Sequence, residues 1–308
     1  PFGIFSILYA IFKLRNITPN KDIRLDIFSL ILSSLGFGGL LYGFSSVGDF
    51  GWTSSHVIIA ITIGFLALVI FIVRQWKMDD PMLDFSVYKF PMFALSSIIS
   101  VTISASMFSG MLLTPLYVQT VREISPFYSG ILMLPGAIVM GIMSPITGRL
   151  FDKYGAKALA IIGLSILVVT TYLLSFLTME DSYFYLMTLY TTRMFGMSLV
   201  MMPVMTNGLN ELPMRMNPHG TAMNNTLQQV SGAIGSAILL TIMAKHSETV
   251  GIVLQKQAAQ GKTFEFDIEL LAMLEGINHT FFISTIFALV ALLLALFIRR
   301  PNIPNIHD

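Results

Sequence analysis

"GRLFDKYGAK", residues 148–157, places four charged side chains within nine residues of an otherwise apolar chain. The whole sequence is 55% hydrophobic and only 11% charged, so this cluster stands out from its surroundings. An apolar run of about twenty residues lies on each side of it, the length that crosses the hydrocarbon core of a bilayer. We therefore interpret residues 148–157 as a short polar connection between two membrane-spanning helices.

Apolar blocks of this length recur along the chain. Eight of them are long enough to span a bilayer, at residues 25–46, 55–74, 92–117, 127–148, 157–178, 184–206, 220–243 and 278–298. A soluble protein of 308 residues needs far more charged side chains to solvate its surface. The sequence therefore predicts an all-α integral membrane protein with about eight full transmembrane helices.

Net charge and cysteine content exclude several other classes. The net charge of +1 gives no reason to expect a nucleic-acid partner. Cysteine is absent, which excludes disulfides and thiolate metal sites, and no metal site is predicted.

The first 14 residues form a ninth apolar block that is too short to cross a bilayer. Because the chain also begins at Pro1 rather than Met, we interpret this block as the end of a truncated span and expect the native protein to continue upstream.

Basic residues predict the orientation of the spans, because Lys and Arg are enriched in cytoplasmic loops. If the eight spans alternate, 13 of the 18 basic residues share one side: Lys13, Arg15, Lys21, Arg24, Arg74, Lys77, Lys89, Arg149, Lys153, Lys157, Arg215, Arg299 and Arg300. The other side has Arg122, Lys245, Lys256 and Lys262. We predict a multi-pass protein of the cell membrane with both ends of this chain in the cytoplasm.

Local chemistry explains part of the 148–157 connection. Gly148 and Gly155 permit close backbone approach or a positive φ, as a tight turn requires. Asp152 is expected near the start of the next helix, where the helix dipole stabilises an anion. From the spacing alone, this stretch is explained equally well as a short cytoplasmic turn with basic residues and as a functional motif.

The pattern G-x-x-x-D-K-x-G-x-K resembles the signature cytoplasmic loop of the major facilitator superfamily. The matching residues are Gly148, Asp152, Lys153, Gly155 and Lys157, whereas Ala156 stands where that family usually has a basic residue. The segments 115–155 and 220–238 resemble its fourteen-span drug/proton antiporter branch, and are most similar to Gram-positive multidrug and lincomycin-type efflux proteins. Gln228 replaces an arginine often found in the second segment.

This resemblance implies an architecture and a function. Residues 1–24 correspond to the end of a span and a linker, 25–91 to an inserted pair of helices, and 92–308 to the C-terminal six-helix bundle with an external, partly helical loop at about 245–277. The implied activity is export of amphipathic or cationic drugs, driven by the proton gradient without a cofactor. The implied partners are the lipid bilayer, the drug substrates and the missing N-terminal half of the same transporter.

Arg193 is the one charged residue predicted in the middle of a span. An arginine there costs roughly 2.5–3.5 kcal/mol on insertion scales, so it needs a cavity or polar partners. It resembles the arginine of a family span that lines the transport path, with Gly196 matching. A structural arginine bonded to helix carbonyls is the alternative, and both remain open here.

A polar stripe on one predicted helix supplies further candidates for the transport path. Thr221, Asn225, Gln228, Gly232 and Gly235 keep one helical face by their spacing. The amides Asn225 and Gln228 either bond neighbouring helices or line a wet path, whereas the glycines favour helix packing.

The hydroxyl-rich span 92–117 is the remaining candidate element. Its many Ser and Thr residues predict a face against a central cavity, although hydroxyls in membrane helices often only bond to their own helix. Tyr117 and Gln119 lie near its outer end and are also candidates for the transport path.

Two other functional classes have different requirements. An intramembrane enzyme needs a nucleophile with a base or a metal cluster within the spans, but all five histidines lie at or beyond span ends. An inert or regulatory membrane fragment is the stronger alternative, because the acids that carry protons in this family belong to the half that is absent here.

The predicted topology can be checked with reporter fusions. A reporter fused after residue 153 should read as cytoplasmic and one fused at about residue 260 as external, because seven spans separate the start of 25–46 from the second site. The opposite result at either position would contradict the span count.

Overall fold

Long apolar helices account for most of the protein. The structure, a computed structural model, describes residues 26–78 and 81–300. The main helices are α1 (Ile27–Ser45), α2 (Ser55–Lys77), α3 (Pro91–Leu116), α4 (Pro126–Leu173), α5 (Tyr183–Ser198), α6 (Met201–Leu209), α7 (Asn217–Ala259) and α8 (Ile268–Ala295). Those two ranges contain no β-strand, and the predicted all-α membrane architecture is confirmed. The predictions for residues 1–24, with four of the basic residues, lie outside the described residues.

Six of the described helices are long and apolar enough to span a membrane, fewer than the eight predicted spans. One reason is that α4 contains two of the predicted spans, separated by a break at Gly155, where φ is 78° and ψ is 169°. The other is that predicted span 184–206 is divided between α5 and α6, because Pro203 cannot donate a hydrogen bond to the preceding turn. The second arm of α4 and the α5–α6 pair bring the six helices to the eight predicted crossings.

The last two helices extend further than predicted. α7 has 43 residues, roughly 65 Å at about 1.5 Å per residue, which is about twice the thickness of the hydrocarbon core. α8 begins at Ile268, ten residues before the predicted start of its span, and the Asp267 carboxylate caps it by accepting from Glu269 N at 2.8 Å. The predicted loop 245–277 is therefore two projecting helix ends joined by a short turn, in agreement with its predicted helical character.

Hydrogen bonds between the end regions of different helices join the ends that an alternating topology places together. At one end, Glu211 accepts from the backbone N–H groups of Met92 and Phe93 at 2.6 and 3.2 Å, which caps the start of α3. At the other end, the Tyr117 hydroxyl donates to the Thr178 carbonyl at 2.6 Å. Further bonds of each kind are Asn207–Arg299 at the first end, and Trp52–Thr241 and Asn278–Leu177 at the second. The described helices thus cross in alternating directions, as predicted.

Small residues bring α1 and α2 into backbone contact. A Cβ atom on Gly39 would lie 2.9 Å from the Gly64 Cα atom and 3.0 Å from the Ala60 carbonyl oxygen. Gly36 and Gly43 meet α2 in the same way, and this agrees with the close packing expected from the Gly39-x-x-x-Gly43 pattern. The pair therefore depends on the absence of side chains along this seam.

The remaining helices form a bundle around α3. α3 packs against α6, α7 and α8, while α4 packs against α5, α6 and α8. The α1–α2 pair packs against the bundle through α7, which leaves α2 on the outside with a strongly apolar exposed surface.

The glycine seam between α1 and α2 yields a test with a neighbouring control. Gly39→Ala should lower the thermal unfolding midpoint of the purified chain in detergent, because overpacking against backbone costs about 1–3 kcal/mol. Gly38→Ala should leave it nearly unchanged, because nothing lies within 4 Å of the added Cβ atom. Equal midpoints for the two variants would contradict the seam.

Candidate functional site

Arg193 lies on α5 and is completely buried, with 0% of its surface exposed. Its Nη2 atom donates to the Ser106 carbonyl oxygen of α3 at 2.5 Å. Its Nε atom donates to the Thr171 hydroxyl of α4 at 3.3 Å. One side chain therefore joins three helices of the bundle through hydrogen bonds to uncharged groups.

Gly110 makes room for this guanidinium group. A Cβ atom at position 110 would overlap the Nη1 and Cζ atoms of Arg193, so the group lies directly on the α3 backbone. Any other residue at this position would displace Arg193 from the Ser106 carbonyl. Sequence reasoning missed Gly110, because the pattern within α3 does not show which side chain crosses it.

Arg193 has no acidic partner among residues 26–78 and 81–300, where the ion pair found is Arg74–Asp26 at 2.8 Å. A buried guanidinium without a carboxylate depends on the dipoles of its hydrogen-bond acceptors. This geometry is the one expected of a structural arginine that is hydrogen-bonded to a helix carbonyl. A role in the transport path remains a prediction, and it requires a second conformation in which the group is accessible.

Tyr117 and Gln119 lie in a π-helical turn, Tyr117–Val121, at the end of α3. Tyr117 is fully buried, and its hydroxyl bond to the Thr178 carbonyl fixes this turn to the connection after α4. Gln119 is exposed, and its amide donates to the Ser129 hydroxyl at 3.2 Å. Both residues thus lie at one end of the bundle and make no hydrogen bond to Arg193 in the described chain.

The predicted polar stripe on α7 has two different environments. Gly232 and Gly235 are buried against α3, where a Cβ atom would meet the Phe108 ring and the Ala105 Cα atom. Asn225 is exposed and Gln228 is half-buried. A repeat of 3.5 residues drifts by only about 20° per heptad, so the stripe keeps nearly one face of α7. Its members differ because α3 covers that face at the two glycines and leaves Asn225 uncovered. The glycines therefore pack helices together, and the amides do not.

The exposed surface of α7 near Asn225 differs from that of α2. Gln229 is exposed one turn after Asn225, whereas the exposed residues of α2 are mostly large and apolar. Side chains such as Ile63 and Phe65 suit contact with lipid, but amides in hydrocarbon lose their hydrogen bonds. The amide face of α7 therefore suits contact with water or with another polar helix.

The hydroxyl-rich face of α3 does not line an open cavity, which corrects the expectation from sequence. The residues Ser96, Ser97, Ser100, Ser104, Ser106, Ser109 and Thr114 are all buried. Their small side chains allow close packing of neighbouring helices, and Gly208 of α6 contacts Ser96 in this way. Two of the hydroxyls, on Ser104 and Ser109, donate to carbonyls of α3 itself at 2.8 and 2.6 Å.

The signature stretch 148–157 turns at Gly155, whose positive φ only glycine adopts readily. Gly148 lies within the first arm of α4 and has helical neighbours on both sides. The expected position of Asp152 is wrong: it lies in the last turn of the first arm, because the helix continues to Tyr154. Asp152, Lys153 and Lys157 are exposed, and the Lys153 ammonium group lies 5.1 Å from the Tyr154 ring centroid.

Three grooves on the surface of the described chain have none of the candidate residues in their walls. A groove of about 580 Å³ lies between the projecting ends of α7 and α8 and includes Met243, Glu248, Glu269 and Met273 in its walls. The described residues contain no group of three His, Cys, Asp or Glu side chains that suits a metal ion. The five predicted path residues lie in three separate regions: Arg193 inside the bundle, Tyr117 and Gln119 in one turn at its end, and Asn225 and Gln228 on α7.

Sequence comparison places residues 27–236 in the Major Facilitator Superfamily. A transporter of this type from Bacillus subtilis, YcnB, is 41% identical over 304 residues, which cover 99% of this chain and 61% of that protein. Lincomycin resistance protein LmrB from Listeria monocytogenes is 42% identical over 300 residues, which cover 97% of this chain and 62% of that protein. The chain thus spans about three fifths of the length of these curated relatives.

A solved structure has a similar fold. It is the crystal structure of a bacterial homologue of the human lysosomal transporter Spinster in an inward-facing, unoccupied conformation. The TM-score is 0.52, and the match covers 86% of this chain and 67% of that one at 12% identity. This likeness concerns the fold alone.

The contact between Gly110 and Arg193 can be measured with a double-mutant cycle. Gly110→Ala should lower the thermal unfolding midpoint, with an overpacking cost of about 1–3 kcal/mol. In an Arg193→Ala background the same change should cost little, because the overlapping group is gone. Gly130→Ala is the control, since nothing lies within 4 Å of its added Cβ atom. Additive costs in the double variant would contradict the contact.

Proposed function

Because the chain belongs to the major facilitator superfamily, as residues 148–157 predicted, we propose that it acts in a secondary transporter that exports drugs in exchange for protons. The substrates are amphipathic, often cationic molecules, including lincosamides. The chain supplies the C-terminal bundle of this transporter together with the two inserted helices α1 and α2. The protein is a multi-pass membrane protein, and we place it in the cell membrane with both ends of the chain in the cytoplasm.

The observation that carries this proposal is the extent of the similarity to LmrB. It covers 97% of the chain, so it includes the inserted pair, the signature turn and the long α7–α8 hairpin rather than one motif. A shared fold alone does not predict a substrate, because one fold accommodates many functions. Similarity at 42% identity over all these elements supports a shared class of substrate.

The amide face of α7 supports the proposal of a partner. Asn225 and Gln229 are exposed where lipid contact is unfavourable, so a second group of helices is expected to cover them or to leave a wet path beside them. We propose that these helices belong to the same transporter and correspond to the part of the relatives that this chain does not span. They also supply the acidic residues that carry protons, and the transport cycle needs no cofactor.

Arg193 has a defined place in this scheme. In the described conformation its guanidinium group is closed off between α3, α4 and α5. Movement of α5 past α3 exposes the group to the path, where its positive charge holds a carboxylate of the other bundle or repels a protonated drug. The enzyme alternative has no supporting observation, and we propose no catalytic activity.

Export can be tested with a chimera in which this chain replaces the matching C-terminal part of Listeria LmrB. Cells that produce the chimera should accumulate less ethidium and tolerate more lincomycin than cells with an empty vector, and a protonophore should abolish both effects. The chain expressed alone should insert into the membrane without export. Export by the chain alone, or export that survives the protonophore, would contradict the proposed coupling.

The same assay separates the two roles of Arg193. Arg193→Ala should abolish export per molecule of membrane-inserted chimera, and Arg193→Lys should restore little, since an ammonium group cannot reproduce the planar donor fork. If Arg193 only joins helices, alanine should instead lower the amount of folded protein and leave export per molecule intact.

A further inference from the structure

A pair of stacked histidines joins α7 and α8 at the point where both helices leave the core of the bundle. The ring centroids of His246 and His279 are 4.1 Å apart, and the ring planes differ by only 6°. Both residues are half-buried, so protons from solvent can reach them. Their position at the start of the projecting hairpin places them on the side that the basic-residue pattern predicts to be external.

The backbone around this pair leaves the rings little freedom to move apart. Beside His246, the Ser247 hydroxyl packs so closely on Gly276 that a Cβ atom there would overlap it. Beside His279, the Asn278 side chain exchanges two hydrogen bonds with the Leu177 backbone, at 3.1 and 2.8 Å. Neutral rings are therefore held in contact by the packing of both helices.

No carboxylate in the described chain pairs with either ring. The acids nearest in sequence, Glu248 on α7 and Glu275 on α8, are exposed, as is Lys245. The neighbouring turns that pack against α8 carry three more titratable groups, and each of them is already hydrogen-bonded. The Tyr117 hydroxyl donates to the Thr178 carbonyl, and the Arg122 guanidinium donates to the Met179 carbonyl. The Asp181 carboxylate accepts from the Thr178 backbone N–H and from the Tyr117 hydroxyl. Glu275 lies one helical turn before His279 but forms no ion pair with it, so no ion pair of the described chain compensates two positive imidazoles.

We propose that the His246–His279 stack is a proton-responsive contact that opens the outer end of the α7–α8 seam at acidic pH. An isolated imidazole has a pKa of about 6.5, so acid below this value favours the charged form of a histidine side chain in general. One ring binds a proton without losing the contact. A second proton places two like charges about 4 Å apart, which the stacked state resists.

The sign of the pH effect follows from proton binding. The separated histidines bind two protons more readily than the stacked pair, so acid favours separation. The contribution of the stack to seam stability is therefore present at neutral pH and is lost on acidification. Separation would release the projecting ends of α7 and α8 and widen the groove beside Met243 and Met273. This inference does not depend on the proposed substrate or on proton-coupled export.

Hydrogen exchange measured by mass spectrometry tests the proposal on the 308-residue chain in nanodiscs. Exchange in segments 243–259 and 268–282 is compared at pH 7.5 and pH 5.0, after correction for the intrinsic pH dependence of exchange and with α3 as the internal reference. If the second protonation is disfavoured by one pKa unit, exchange in these segments should rise about tenfold at the lower pH. An unchanged rate would overturn the proposal.

Variants that keep an aromatic ring but do not titrate assign the effect to the pair. His246→Phe and His279→Phe should each abolish the acid response, because only one ring can then be charged. His56→Phe, at an exposed histidine of α2, should retain it. If one Phe variant does not fold, the other gives the same test, and His279→Gln is a third. A response that persists in a folded single variant would overturn the proposal.

Discussion

A buried guanidinium group must find its hydrogen bonds inside the protein, and this requirement organises the bundle. Arg193 meets it by bonding to a carbonyl of α3 and a hydroxyl of α4, so its position fixes three helices relative to one another. The same requirement explains why position 110 is a glycine, because a side chain there would occupy the place of the Arg193 guanidinium group. The hydroxyl-rich composition of α3 also fits, since small side chains allow the approach that these bonds need.

At other helix contacts, which involve no charged group, glycine allows the two backbones to approach closely. α1 and α2 meet backbone to backbone at Gly39 and Gly64, and α7 meets α3 at Gly232 and Gly235. Hydrophobic burial drives little association between helices in lipid, because lipid tails are as apolar as the side chains. Close packing and local hydrogen bonds therefore have to hold this bundle together, and both depend on the small residues.

The features that depend on composition and local geometry could be predicted from the sequence. The features that depend on contacts with residues of other helices could not. The eight crossings, the alternation of their ends and the turn at Gly155 could be predicted, because hydrophobic length and glycine conformation are local properties. The position of Asp152 at the end of a helix could not be predicted, because no residue in the sequence indicates that this helix continues to Tyr154. Gly110 was missed for a different reason. Its importance depends on Arg193, which lies 83 positions later in the chain, and periodicity within one helix shows nothing of such a contact.

In the proposed transporter, the different surroundings along α7 connect this packing to transport. Its glycines face α3 and bind the helix to its own bundle, whereas Asn225 and Gln229 face outward with no described helix to receive them. A helix that is packed along one part of its length and polar along another can move with its bundle as a rigid unit while its polar part meets a changing partner. In the proposed transporter, rocking between two bundles would require this combination, since a bundle must keep its own packing when the interface with the other bundle opens. Exposed amides are unfavourable in lipid, and in the transporter proposed above they alternate between contact with a second bundle and contact with water.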